Sequence, residues 1–230
     1  QSTVKRFGAL KTAAPDFRIF WDNAYIVHDL YEETDVLVNI FDCLSEENSD
    51  KVYEFASTSK ITFPGSGVSV IASSKKNIER LKSQMSIQTI GCDKINMLRH
   101  VKYFGDCNGI KEHMKKHAEL IRPKFDAILA KFDSELSGLG IAEWTKPRGG
   151  YFISLNVMPG CAARVWKLMK DAGVTMTSAG AAFPYGKDPD DSNLRIAPTY
   201  PPLSEIKTAA DVLVCCVKLA VLEKLLAGKD

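Results

Sequence analysis

An α/β fold is predicted by three features of this sequence. Short apolar runs at 17–21, 51–56 and 68–72 each end at turn-forming residues, as strands do. Longer segments with apolar residues every three or four positions lie between and after them, as in helices. The 230 residues are 45% hydrophobic, enough for one large core or two smaller ones.

The elements follow in order. Val4, Phe7 and Leu10 predict an amphipathic helix over 2–14, capped by Ser2 or Thr3 and broken at Pro15-Asp16. The strand 17–21 leads to Asp22. A short helix is expected within 36–48, and the strand 51–56 leads to Ser57-Thr58-Ser59-Lys60. The loop Pro64-Gly65-Ser66-Gly67 and the strand 68–72 come next. Ser73-Ser74 opens a lysine-rich helix through Ile78, Leu81 and Met85, and 86–103 offers Ile87, Ile90, Ile95, Leu98 and Val101 as core candidates. A long helix is expected over 110–136, with Pro123 near a joint. Beyond it the pattern predicts strands at 141–144, 147–155, 174–177 and 194–197 and a helix over 161–172. A last helix, 206–226, is expected to be capped by Ser204.

Two stretches carry chemistry. Lys60 sits between two apolar runs, where its charged form loses hydration and a neutral, nucleophilic amine is favoured. Such an amine can condense with a carbonyl, including the aldehyde of pyridoxal phosphate (PLP). The hydroxyls of Ser57 and Ser59, with backbone N–H groups, are suited to a phosphate. The plain alternative is a solvated loop lysine. Asp22 ends another strand, and ligands of open α/β sheets bind beyond the carboxyl ends of strands. PLP needs this pair, a lysine for its aldehyde and an acid for its pyridine nitrogen. Tyr25 is placed to donate to the ring phenolate oxygen.

Asp22-Asn23-Ala24-Tyr25, Ser57-Thr58-Ser59-Lys60 and Asn193-Leu194-Arg195-Ile196-Ala197, in that order, resemble the signatures of fold-type I PLP-dependent aminotransferases of the aspartate aminotransferase-like group. The resemblance spans the whole chain but only the later part of such an enzyme. It implies two parts: residues 1–110 as the end of a PLP-binding large domain with a mixed or parallel sheet, and 111–230 as a bridging helix and small α+β domain. It implies a full-length enzyme moving an amino group from an amino acid, with aspartate the analogy, to a 2-oxo acid. Lys60 would be the catalytic lysine. Asp22, Tyr25, Ser57 and Ser59 would join it in holding the cofactor, and Arg195 would bind the substrate carboxylate. A homodimer is implied as well. Val68 stands where many relatives have an arginine on the phosphate. The resemblance also implies that the phosphate loop and the ring-stacking aromatic lie outside this chain, so the chain alone is expected to be inactive. Another PLP reaction on the same fold, a lyase or decarboxylase, is the alternative.

Arg195 alternates with Leu194 and Ile196, so it faces the opposite side of its strand from them, where a guanidinium suits a carboxylate. Arg148 and Tyr151 follow Pro147 in a glycine turn and face either substrate or solvent. His113 and His117 have the four-residue spacing of helical metal ligands but lack the accompanying glutamate, so no metal is expected. A net charge of +2 with mixed signs gives no case for nucleic acid or an anionic membrane. No run is long and apolar enough for a membrane span. Six cysteines without Cys-x-x-Cys spacing read as reduced thiols of a cytoplasmic protein.

Overall fold

A computed structural model describes residues 1–228. The chain forms two compact units. One comprises Gln1–Asp29 and Glu33–Lys115; the other comprises Leu30–Glu32 and the chain from Lys116 onward.

The first unit holds helix α1 (Ser2–Gly8) and strands β1 (Ile19–Asp22), β2 (Val52–Ser57) and β3 (Ser69–Ala72). Helices α2 (Lys75–Gln88) and α3 (Lys94–Phe104) follow. The sheet order is β1-β2-β3, with β1 parallel to β2 and β3 antiparallel to it. Helix α4 (Cys107–Glu135) carries Pro123 inside it, where the ring removes one backbone donor.

The second unit is a three-stranded antiparallel sheet, β4 (Ala142–Trp144), β5 (Ile153–Val157) and β6 (Asn193–Ile196), in that spatial order. Helices α5 (Ala162–Asp171) and α6 (Leu203–Ala227) complete it. Its core joins Phe125, Phe132 and Leu136 to Ile153 and Leu155 of β5, Leu194 of β6 and Val217 of α6. On β5, residues 153, 155 and 157 point inward, the period of two expected of a strand with one buried face.

Several expectations are corrected. The first helix stops at Gly8, whose carbonyl accepts the Asn48 side-chain amide (2.8 Å). Its N-cap is Gln1, with no side-chain cap from Ser2 or Thr3. The 36–48 helix is two 3-10 turns, Ile40–Cys43 and Glu46–Asn48. Residues 174–177 form no strand: Val174 N–H closes onto Met169 and the Met176 carbonyl accepts from the Trp166 indole. Residues 147–152 are a turn, with Gly150 at φ +80°, so β5 starts only at Ile153. The last helix begins at Leu203, with the extended Pro202, not Ser204, at its cap.

The largest correction concerns Ile87, Ile90, Ile95, Leu98 and Val101, which are not core. Ile87 is 88% and Ile95 71% exposed, and the other three are exposed too. Helical periodicity identifies an apolar face without saying what covers it, and none of the described residues covers this one.

Candidate active site

The parallel pairing of β1 and β2 brings their ends to one edge. Asp22, the last residue of β1, is in register with Phe55, and Ser57 ends β2 two residues later. Alternation puts Asp22, Phe55 and Ser57 on one face of the sheet. Phe20, two residues before Asp22 on that face, is 72% exposed, so the face is open. Asp22 is exposed, and its Oδ1 accepts the Ala24 N–H (3.2 Å). Asn23 pins the turn that follows, donating its N–H to the Phe55 carbonyl (2.7 Å) and its amide to Glu54 (2.6 Å). Tyr25 lies in this turn, half-buried and edge-on to the His28 ring.

Lys60 sits in the tight turn directly beyond β2. The N–H groups of Ile61 and Thr62 both donate to the Thr58 carbonyl (2.9 and 2.8 Å). Thr58 in turn bonds Val68 twice, N–H to carbonyl (2.9 Å) and Val68 N–H to the Thr58 hydroxyl (2.8 Å). These bonds close the loop 58–68 at its base. Gly67 passes so close to Ser59 that an added Cβ would lie 2.7 Å from the Ser59 hydroxyl oxygen, which explains a glycine there. The Ser59 N–H points at the Ser57 hydroxyl (3.4 Å), so two hydroxyls and a backbone donor cluster at the strand end beside Lys60. The Lys60 side chain itself is exposed. The expected desolvation is absent because the lysine occupies the turn past the strand end and is not enclosed between strands. Val68 is occupied as the hairpin partner of Thr58, and its backbone serves the loop.

Arg195 belongs to the second unit. Leu194 and Ile196 are buried in its core, and Arg195 points the other way, in register with Ser154. Its guanidinium carbon lies 4.7 Å from the centre of the Phe152 ring. Its Nε is buried and makes no hydrogen bond within the described residues, which leaves a donor aimed at no acceptor. The turn before β6 is organised by the Asp188 carboxylate, which accepts N–H bonds from Asn193 (2.7 Å), Ser192 (2.8 Å) and Asp190 (3.1 Å). Burial works to raise this carboxyl; the three backbone donors and the Ser192 hydroxyl outweigh it and hold it below the usual carboxylate range.

In the glycine turn, the Arg148 carbonyl accepts the Leu30 N–H (2.9 Å), and the Tyr151 hydroxyl lies 3.4 Å from His117 Nε2. His113 contacts the backbone of the Lys60 turn (2.8 Å). Sequence reasoning weighed His113 only as a metal ligand and gave Thr58 and Thr62 no role of their own, because nothing in the spacing of His113 relates it to Lys60.

The chain is similar to known proteins along its length. An aspartate aminotransferase of Corynebacterium glutamicum is 45% identical over 225 residues, which are 97% of this chain and 52% of that protein. The solved aspartate transaminase from the same organism superposes with a TM-score of 0.93 at 44% identity, covering 97% of this chain and 53% of that one. A Pyrococcus horikoshii kynurenine aminotransferase, solved in complex with PMP, shares the fold at 18% identity and a TM-score of 0.76, covering 95% of this chain and 52% of its own. The chain thus spans about half the length of the curated relatives it matches. Residues 1–229 match the aspartate amino-transferase family description, and the chain belongs to that family.

Proposed function

We propose that this chain supplies the catalytic lysine and the substrate-carboxylate arginine of a PLP-dependent aminotransferase, which transfers an amino group from an amino acid, aspartate by analogy, to a 2-oxo acid. The observation that carries the reading is the shared carboxyl edge of β1 and β2, which presents Asp22, Ser57 and the Lys60 turn together in a chain matched along its length by the family.

The residues present fit the cofactor. Lys60 offers an accessible amine for the aldehyde, and Asp22 an acid for the pyridine nitrogen. Ser57 and Ser59, with the turn amides, would hold the phosphate, and Tyr25 would donate to the ring oxygen. When bound, PLP supplies the electron sink that makes the substrate α-proton removable. The Lys60 amine would serve as base and then acid for that proton, and Asp22 would hold the ring nitrogen protonated. Arg195, with Nε uncommitted and its plane against Phe152, would clamp the substrate α-carboxylate through paired donors. A homodimer and a cytoplasmic setting belong to the same reading.

The relatives are about twice as long, so activity is expected only from an assembly in which the part this chain does not span is also supplied. The test is to co-produce this chain with that part of the C. glutamicum relative and follow amino transfer from aspartate to a 2-oxo acid. Transfer is expected, with Lys60→Ala reducing it by at least about a thousandfold. Turnover of the amino acid that proceeds equally without a 2-oxo acid acceptor would instead favour a lyase or decarboxylase. An assembly that binds PLP yet turns over no amino acid would refute the proposal.

A further inference from the structure

Three of the chain's four histidines converge on the turn that carries Lys60. His113, near the start of α4, places Nε2 2.8 Å from the Ile61 carbonyl. A carbonyl only accepts, so Nε2 carries the proton, and Nδ1 is left to accept from the Tyr103 hydroxyl at 3.3 Å. His100, on α3, has the opposite arrangement. Its Nδ1 donates to the Asn96 carbonyl four residues earlier (2.9 Å). Its Nε2 then accepts from the Thr58 hydroxyl at 2.9 Å, with the Thr62 hydroxyl oxygen 3.2 Å away. Thr58 is free to donate there because its oxygen already accepts the Val68 N–H. Thr62 also reaches the Thr58 carbonyl (3.1 Å). His28, almost wholly buried, points Nε2 at the Lys60 carbonyl itself, at 3.4 Å the longest of the set. Asn96, one turn from His100 on α3, donates to the Gly67 carbonyl (3.2 Å) at the far end of the same loop.

Each of positions 58, 60, 61 and 62 therefore meets an imidazole. Beyond the backbone bonds that close its base, the turn buries only Ile61, and Lys60 and Phe63 are exposed, so the imidazoles add side-chain ties from outside the loop. A rigid ring with polar atoms at two fixed ends ties a turn to a helix more tightly than a long flexible side chain, which would lose more rotamer freedom.

We propose that His113 and His100, assisted by His28, are positioning residues that hold the Lys60 turn in one backbone conformation, so that the lysine amine meets its carbonyl partner in a fixed place. The inference rests on the reading of Lys60 as the cofactor lysine. It assigns the two principal histidines opposite proton positions, His113 as donor and His100 as acceptor toward the turn.

The test has two readouts. The first is amide hydrogen exchange at Ile61 and Thr62 in the chain itself, which needs no cofactor. The second is the rate at which Lys60 is fixed by borohydride in the presence of PLP, in the assembly described above. His113→Phe is expected to speed exchange at both amides on the order of tenfold, and to slow Lys60 labelling, while protection along β2 stays unchanged. His113→Gln, whose amide N–H falls close to the imidazole Nε2, is expected to restore both. Exchange in His113→Phe equal to the parent, or a failure of Gln to restore it, would overturn the positioning role. Should Lys60 in the parent label no faster than other exposed lysines, the functional reading of Lys60 fails instead, and the exchange data distinguish that outcome from the first.

Discussion

At the residue scale, the side chains that matter are defined by what their neighbours leave them free to do. Arg195 is held by packing on Phe152 while its Nε stays without an acceptor. Asp188 shows the converse, a carboxylate saturated by the backbone it organises. Its carboxyl titrates below the usual value of 3.8 in the folded chain. The stabilisation is therefore complete above the unfolded value and is lost as pH falls through the folded one. Asp188→Ala is expected to destabilise the second unit by about 1–3 kcal/mol at pH 7. The difference should shrink below about pH 4 as the parent carboxylate protonates. Urea unfolding followed by the fluorescence of Trp144 and Trp166, in a Trp21→Phe background, measures this. A difference that does not change with pH would contradict it. The strand-end positions of Asp22 and Lys60 and the outward direction of Arg195 were legible in the sequence as local patterns, whereas the exposure of Lys60 was not. The histidine contacts were not, because hydrogen bonds between residues 32 to 52 positions apart leave no local spacing to read.

At the element scale, the strands were read best. Apolar runs bounded by turn residues fixed β1, β2 and β3 to within a residue or two, and the alternation around Arg195 gave its direction correctly. Elements whose hydrogen bonds are decided elsewhere were read worst. The run 174–177 has strand composition, but its polar groups are claimed by α5. Helix α2 was expected and forms, but the apolar residues 87–101, offered as core, meet no described partner, and 94–104 forms a separate helix, α3, that was not expected. Helix α4 is the counter-example, since its inward residues do find partners. Phe125 is fully buried in the second unit's core, and Phe125→Ala is expected to cost about 3–5 kcal/mol through lost burial and the cavity left behind. A loss below about 1 kcal/mol in the same fluorescence assay would show that this core is looser than the packing implies.

At the scale of the whole molecule, two units divide the proposed work. The first carries Asp22, Tyr25, Ser57, Ser59 and Lys60; the second carries Arg195. The open face beside Asp22 and the exposed apolar residues Ile87, Ile90, Ile95, Leu98 and Val101 lie in the first unit, in a chain that spans about half of its relatives. No helix among the described residues is long and apolar enough to cross a membrane, so those surfaces are not explained by a membrane span. One lysine of this chain, Lys60, and no other is proposed to take the cofactor. Borohydride reduction of the PLP-treated assembly followed by peptide mass mapping tests it most directly. A pyridoxyl label concentrated on Lys60, and weakened by Asp22→Asn, is the expected result. Label spread evenly over exposed lysines such as Lys75 and Lys76, with Lys60 no different from them, would contradict it.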